Sequence, residues 1–132
     1  MSQPAAKEGD LISGTDSHNE KVPSQTGTII QSFDVPFSGP IDGGLSSDVK
    51  INGHFAATVG STAKNSTPHI AIAPGISFVL NPSNSGEVTT GSDKVKINNK
   101  KVARNKDNAT TCNDSGQKNN SSITASGTVL IG

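Results

Sequence analysis

A short strand motif that returns at wide intervals constrains this chain more than any other feature. Asp48-Val49-Lys50-Ile51-Asn52-Gly53 reappears as Lys94-Val95-Lys96-Ile97-Asn98-Asn99, and Gly127-Thr128-Val129-Leu130-Ile131-Gly132 ends the sequence on the same pattern. A second element recurs out of phase with it. Gly9-Asp10 leads to His18, Gly60-Ser61 leads at the same spacing to His69, and the shorter segment from Lys106-Asp107 to Cys112 fills the equivalent place after the second strand motif. Three equivalent segments therefore end in His18, His69 and Cys112, all soft or borderline metal ligands. This pattern predicts a small all-β structure of roughly threefold character, tied together by a metal at one end.

Helix signals are nearly absent, because Gly, Pro, Ser, Thr and Asn interrupt every apolar period of 3.6 residues. Val49-Lys50-Ile51 alternates apolar and polar, Asn52-Gly53 is a strong type I′ turn signal, and Phe55-Ala56-Ala57-Thr58-Val59 returns as the partner strand. The second hairpin turns at Asn98-Asn99 and returns as Lys101-Val102-Ala103-Arg104. Gly27 to Phe33 reads as a further strand, and the Gly- and Pro-rich run from Pro36 to Ser47 reads as loop. The stretch His69 to Leu80 is the most apolar of the chain and is expected to supply core or a packed side wall. Residues 1–8 read as a flexible tail ahead of one domain over 9–132, residues 113–122 as polar loop, and the last strand ends flush with the sequence, leaving a bare β-unit.

Only 30% of the 132 residues are apolar, with four Phe and no Trp or Tyr, so the core must be thin. Small domains of that kind need a staple. A lone Cys excludes an intrachain disulfide and leaves a metal or a partner chain. Acidic and basic residues balance to a net charge of zero, which removes any long-range field for nucleic acid. The local basic cluster Lys94, Lys96, Lys100, Lys101, Arg104 and Lys106 has no interleaved aromatic for base stacking and reads as a solvated face. No run approaches the ~20 apolar residues of a membrane span. The polar N-terminus lacks the apolar core of a signal peptide, so synthesis in the cytoplasm without Sec-type export is expected.

These residues resemble the PAAR-repeat family, small cone-shaped proteins that cap the spike of contractile injection systems such as type VI secretion and phage-tail-like particles. The resemblance is carried by Gly9-Asp10 with Thr15-Asp16-Ser17-His18, by the hairpin Val49 to Gly60, by its copy from Ile97 to Arg104, and by the closing Gly127 to Gly132. Departures are His54-Phe55 in place of the usual Lys-Pro, and Lys101-Val102-Ala103 in place of Pro-Ala-Ala. The long segments 24–47 and 70–90 look like those of extracellular particles of the antifeeding-prophage and virulence-cassette type. The resemblance implies a β-cone seated, as a monomer, on a trimeric VgrG-like spike protein, with a metal near the sharp vertex. It also implies a mature location at the spike tip of a particle, including one released from the cell.

PAAR tips typically bind zinc through three His and one Cys, and His18, His54, His69 and Cys112 are that inventory here. The repeat itself supports His18, His69 and Cys112, whereas His54 aligns with Lys100 at a hairpin turn. Five residues of strand at ~3.3 Å rise would put His54 on the order of 15 Å from the other three. Without His54, the fourth position falls to water, Asp16 or Asp114. A closed N/S shell suits zinc and is structural rather than catalytic, with iron an alternative ion.

Three functions follow from this inventory. The leading one is a rigid, non-enzymatic, metal-stabilised tip that sharpens the spike and helps it pierce a target envelope. An adaptor that attaches effector cargo to the spike is the second. The third is a small Cys/His hydrolase with Cys112 as nucleophile, which needs a low-pKa thiol beside an oriented His.

Overall fold

The computed structural model describes residues 2–114 and 121–132. Its described residues contain no helix and form thirteen strands. In chain order these are β1 (Gln3–Pro4), β2 (Leu11–Ser24), β3 (Gly27–Gly43), β4 (Lys50–Ile51), β5 (His54–Phe55), β6 (Thr62–Lys64), β7 (Ser77–Phe78), β8 (Ser85–Val88), β9 (Lys96–Ile97), β10 (Lys100–Lys101), β11 (Asn108–Thr110), β12 (Ser121–Thr124) and β13 (Leu130–Ile131).

Three two-stranded hairpins make one end of the molecule. The first pairs β4 with β5 and the second β9 with β10, as the repeated motif predicts. Asn52 and Gly53 turn the first at positive φ (50° and 83°), and Asn98 and Asn99 turn the second (54° and 66°), which is the type I′ requirement. The third is built from the two ends of the sequence: β13 pairs with β1, Ile131 opposite Gln3 and Leu130 opposite Pro4. Residues 3–8 are therefore not the flexible tail expected from their polarity. Pro4-Ala5-Ala6-Lys7 is the third copy of the element that reads Phe55-Ala56-Ala57-Thr58 and Lys101-Val102-Ala103-Arg104, and Ala5 and Ala6 are buried.

The three copies lock into one another through their backbones. Ala6 N–H donates to Ala103 O (2.9 Å), Ala103 N–H to Ala57 O (3.0 Å), and Ala57 N–H to Ala6 O (3.0 Å), closing a cycle. Glu8, Val59 and Asn105 N–H extend it to Phe55, Lys101 and Pro4 carbonyls. Only a methyl side chain fits here, since Ala6, Ala57 and Ala103 are fully buried. Each copy then turns at Gly9, Gly60 or Lys106, all at positive φ (93°, 96° and 72°). The turn is held by Asp10, Ser61 or Asp107, whose side chain accepts the N–H of Lys7, Thr58 or Arg104 three residues back.

Above the hairpins six antiparallel strands close into a ring in the order β12-β11-β8-β6-β3-β2, with β2 returning to β12, while β7 is added outside at β2. Its inward residues fall in threefold sets. Ile12, Ala63 and Ala109 form one, Ile41, Val88 and Ile123 another, and both pack on Ala6, Ala57 and Ala103. Below them Ala5, Ala56 and Val102 pack with Ile51, Ile131 and Ile97. This two-layer core matches the thin apolar content of the chain.

One pair outgrows the ring. β2 and β3 stay in register from Leu11–Pro40 to Ser24–Gly27, so the predicted loop from Pro36 is strand up to Gly43. Val35, Phe37, Gly39 and Ile41 face inward on alternate positions, and Pro36 and Pro40 face out. Ser38 shares the prolines' parity and its N–H points away from β2, to Asn65 Oδ1 (3.1 Å). The prolines' missing N–H groups therefore leave the β2 ladder intact. Gly39 is required because a Cβ there would lie 2.0 Å from Lys64 O.

The apolar segment 70–80 is not core. Ile70 is 75% and Ile76 69% exposed, and the segment lies along β2 through Ser77–Lys21 and Phe78–Glu20 pairing. Of the polar loop expected over 113–122, residues 115–120 lie outside the described residues, and Ser121 and Ser122 begin β12.

Candidate metal centre

Continuing up β2 from Ile12, the next inward positions are Gly14, Asp16, His18 and Glu20. At ~3.3 Å per residue, Asp16 and His18 stand about 13–20 Å above the Ile12 level. Both are at most 1% exposed. His69 follows β6 and Cys112 follows β11, so the wall strands of all three repeats deliver donors to one place. Ligand atoms of Asp16, His18, His69 and Cys112 all lie within 4.8 Å of one another.

The contacts inside the cluster are short and directional. His69 Nε2 is 2.8 Å and Cys112 Sγ 3.1 Å from Asp16 Oδ2, and Cys112 Sγ is 3.7 Å from His18 Nε2. Thr111 Oγ1 donates to Asp16 Oδ1. The His18 and His69 rings lie 5.1 Å apart, with Phe78 edge-on to His18 and Phe37 edge-on to His69. On the outer side, His18 Nδ1 is 3.0 Å from Asp114 Oδ1, and Asn65 Nδ2 is 3.3 Å from His69 Nδ1.

His54 is not brought to this place. It lies in β5 of a base hairpin, opposite Ile51, with its side chain exposed. Asp114 comes close but its carboxylate is engaged elsewhere: Oδ1 meets His18 Nδ1 and Oδ2 accepts the Asn19 N–H (2.7 Å). The fourth donor at the cluster is Asp16. The sequence carried a signal for it, because residues two apart on a strand face the same way, and Asp16 shares the face of His18.

The donor set fits a cation. Asp16 is fully buried; His69 Nε2 is in hydrogen-bond contact with it, and among the described residues no Lys or Arg is near enough to pair. A buried carboxylate without a compensating charge is costly. An ion on two imidazoles, a thiolate and a carboxylate would supply that charge, and the mixed N/S/O shell suits zinc. Without it, burial first and then the hydrogen bond to Asp16 push the Cys112 thiol up to about 12. Such a thiol is a poor nucleophile at neutral pH, the opposite of what the hydrolase reading requires.

Three interlocked hairpins under a closed antiparallel ring, with a buried donor cluster above the core, define a small repeat-built β-protein. Residues 81–132 match the model of the PAAR motif family. This part of the chain is thus similar to the PAAR motif, whose family is associated with contractile injection and type VI systems. The matched span takes in the second hairpin, β11, β12 and β13, and the geometry carries the same unit into 4–10 and 55–61. Neither the curated proteins nor the solved structures gave a match. No helix among the described residues is long and apolar enough to cross a membrane.

Proposed function

We propose that this protein is the metal-stabilised structural tip of a contractile spike, with one zinc ion held by Asp16, His18, His69 and Cys112. The observation that carries the reading is the convergence of these four buried donors from three repeats on a single point above the core. Bound there, zinc supplies a fixed, redox-inert crosslink where the apolar core has run out, so that metal affinity adds directly to folding free energy. His54 has no part in this set.

At the opposite end the hairpins offer a matching threefold surface. Val49, Val95 and Val129 occupy equivalent positions and are almost equally exposed, at 36%, 37% and 40%. Three similar apolar points on a pseudo-threefold base suit a trimeric, VgrG-like spike end, on which one copy of this chain would sit. Force delivered through that base reaches the other end through continuous β-structure. Cargo attachment is the second reading, supported by the exposed Ile29, Ile30, Ile70, Ile76 and Leu80 far from the base.

Metal content of the purified chain, by inductively coupled plasma mass spectrometry, tests the proposal. About one zinc per chain is expected in wild type and in His54→Ala, with loss in Asp16→Ala, His18→Ala, His69→Ala and Cys112→Ala. A folded wild-type chain that takes up no zinc, or loss of zinc in His54→Ala alone, overturns it.

A further inference from the structure

To hold a metal, His18 must present the ring nitrogen that faces the cluster, Nε2. A neutral imidazole offers a lone pair at only one ring nitrogen, and which one is set by the hydrogen bond made by the other. In His18 the Nε2 edge faces Cys112 and Asp16, and the Nδ1 edge faces Asp114. We propose that Asp114 is a positioning residue that fixes His18 as an Nε2 donor. The proposal rests on the metal-site reading above, but its central claim concerns the ring itself.

Three observations carry it. Asp114 Oδ1 lies 3.0 Å from His18 Nδ1, with His18 1% exposed. A carboxylate has only acceptors, so Nδ1 must carry the hydrogen and Nε2 is left bare. Asp114 is itself held in place. Its Oδ2 accepts Asn19 N–H (2.7 Å), its own N–H donates to Ser17 O (3.1 Å), and the neighbouring Asn113 Oδ1 accepts Ser17 N–H (2.8 Å). Asp114 thus grips β2 on both sides of His18, and both its oxygens are committed before any ion arrives. That removes it as a direct ligand and makes it the outer partner that orients the ring.

His69 supplies the contrast. Its Nδ1 faces Asn65 Nδ2, because Asn65 Oδ1 is engaged by the Ser38 N–H. With a donor at Nδ1, the hydrogen of His69 sits on Nε2 and is given to Asp16 Oδ2. In the metal-free molecule the two histidines therefore occupy opposite tautomers, and only His18 presents a lone pair at Nε2.

The test is a long-range 15N–1H spectrum of histidine-labelled, metal-free protein, with zinc affinity measured by competition against a chromophoric chelator. In wild type, His18 is expected as the Nδ1–H tautomer. Asp114→Ala should abolish that preference, leave the His69 signals in place, and weaken zinc binding 10–100-fold. Asp114→Asn, whose amide oxygen can still accept from Nδ1, should restore the tautomer and most of the affinity. His18 unchanged in tautomer and affinity in Asp114→Ala, or Asp114→Asn no better than Asp114→Ala, overturns the proposal. If the alanine chain does not fold, the spectrum of Asp114→Asn decides: Nδ1–H supports the role and Nε2–H removes it. A wild-type chain that binds no zinc sinks the metal reading alone, since the tautomers are read without metal.

Discussion

The two ends of this molecule solve the same problem, holding three repeats together, by different means. At the hairpin end, the repeats are joined by backbone, with Ala6, Ala57 and Ala103 exchanging N–H···O bonds in a cycle. At the donor end, they are joined by side chains that are all different: Asp16 and His18 from one repeat, His69 from the next, Cys112 from the third. Backbone pairing is indifferent to side-chain identity beyond size, so the hairpin end keeps its symmetry through loose sequence repeats. Side-chain chemistry depends on identity, so the donor end abandons symmetry while keeping a common centre. What looks like sequence drift in the second and third copies is tolerated at one end and used at the other.

The largest expected break in this comparison is deletion of residues 1–8. Removing a tail would be silent, but removing β1, Ala5 and Ala6 takes one member from the backbone cycle and leaves β13 unpaired. The truncated chain should lose its cooperative melt in far-UV circular dichroism; an unchanged melt would mean that the cycle is dispensable. Next in size, Ala57→Leu overpacks the fully buried ring and should cost about 1–3 kcal/mol, with or without zinc. Cys112→Ala should act differently, lowering the melting temperature of the zinc-loaded chain far more than that of the chelated chain.

Cys112 also gives a pH-resolved prediction. Its thiol, pushed up from 9.0 to about 12, stays protonated across the physiological range. In metal-free native protein about one thiol in 10⁴ is ionised at pH 8. Alkylation by iodoacetamide should therefore run at least 100-fold slower in the native than in the denatured chain, and accelerate as pH rises toward 12. Because the folded state holds this proton more tightly than the unfolded state, stability falls as pH climbs from about 9 toward 12. Rapid native alkylation at pH 8 would restore the nucleophile reading. The smallest effect is expected at Lys106, which stands at φ 72° where the other copies have Gly9 and Gly60. Lys106→Gly should relieve about 1–2 kcal/mol of left-handed strain against about 0.5–1 kcal/mol of added chain entropy, a small net stabilisation in a denaturant titration.

Much of the hairpin end was legible. Val49 to Phe55 and its copy announce their turns through Asn-Gly and Asn-Asn, which act locally, and the structure follows them to the residue. The third hairpin was not legible, because its halves lie at opposite ends of the sequence and a linear scan for repeats never sets Pro4-Ala5-Ala6 beside Leu130-Ile131. The long β2–β3 pair was hidden for another reason. Pro36, Gly39 and Pro40 signal turns in isolation, and only the alternation of Val35, Phe37, Gly39 and Ile41 discloses a strand whose prolines need no donor. Segment 70–80 misled in the opposite sense, since hydropathy does not say whether a strand pairs beside a core or over it. At the donor end His18, His69 and Cys112 could be named from spacing, whereas Asp114 acts through a ring nitrogen and leaves no periodic trace.

The hairpin closed by β1 and β13 has a consequence for how the molecule is made. Every other hairpin can form soon after its second strand leaves the ribosome, but Ala5 and Ala6 must wait for Val129, Leu130 and Ile131 before their own pairing is complete. The strand made earlier is thus satisfied only by one made more than 120 residues later, and pairing over such a separation is the slowest kind of contact to form. Native structure at the hairpin end therefore cannot be finished before β13 has been made. Until then a nascent chain lacks its finished base, and with it the surface proposed to dock on a spike.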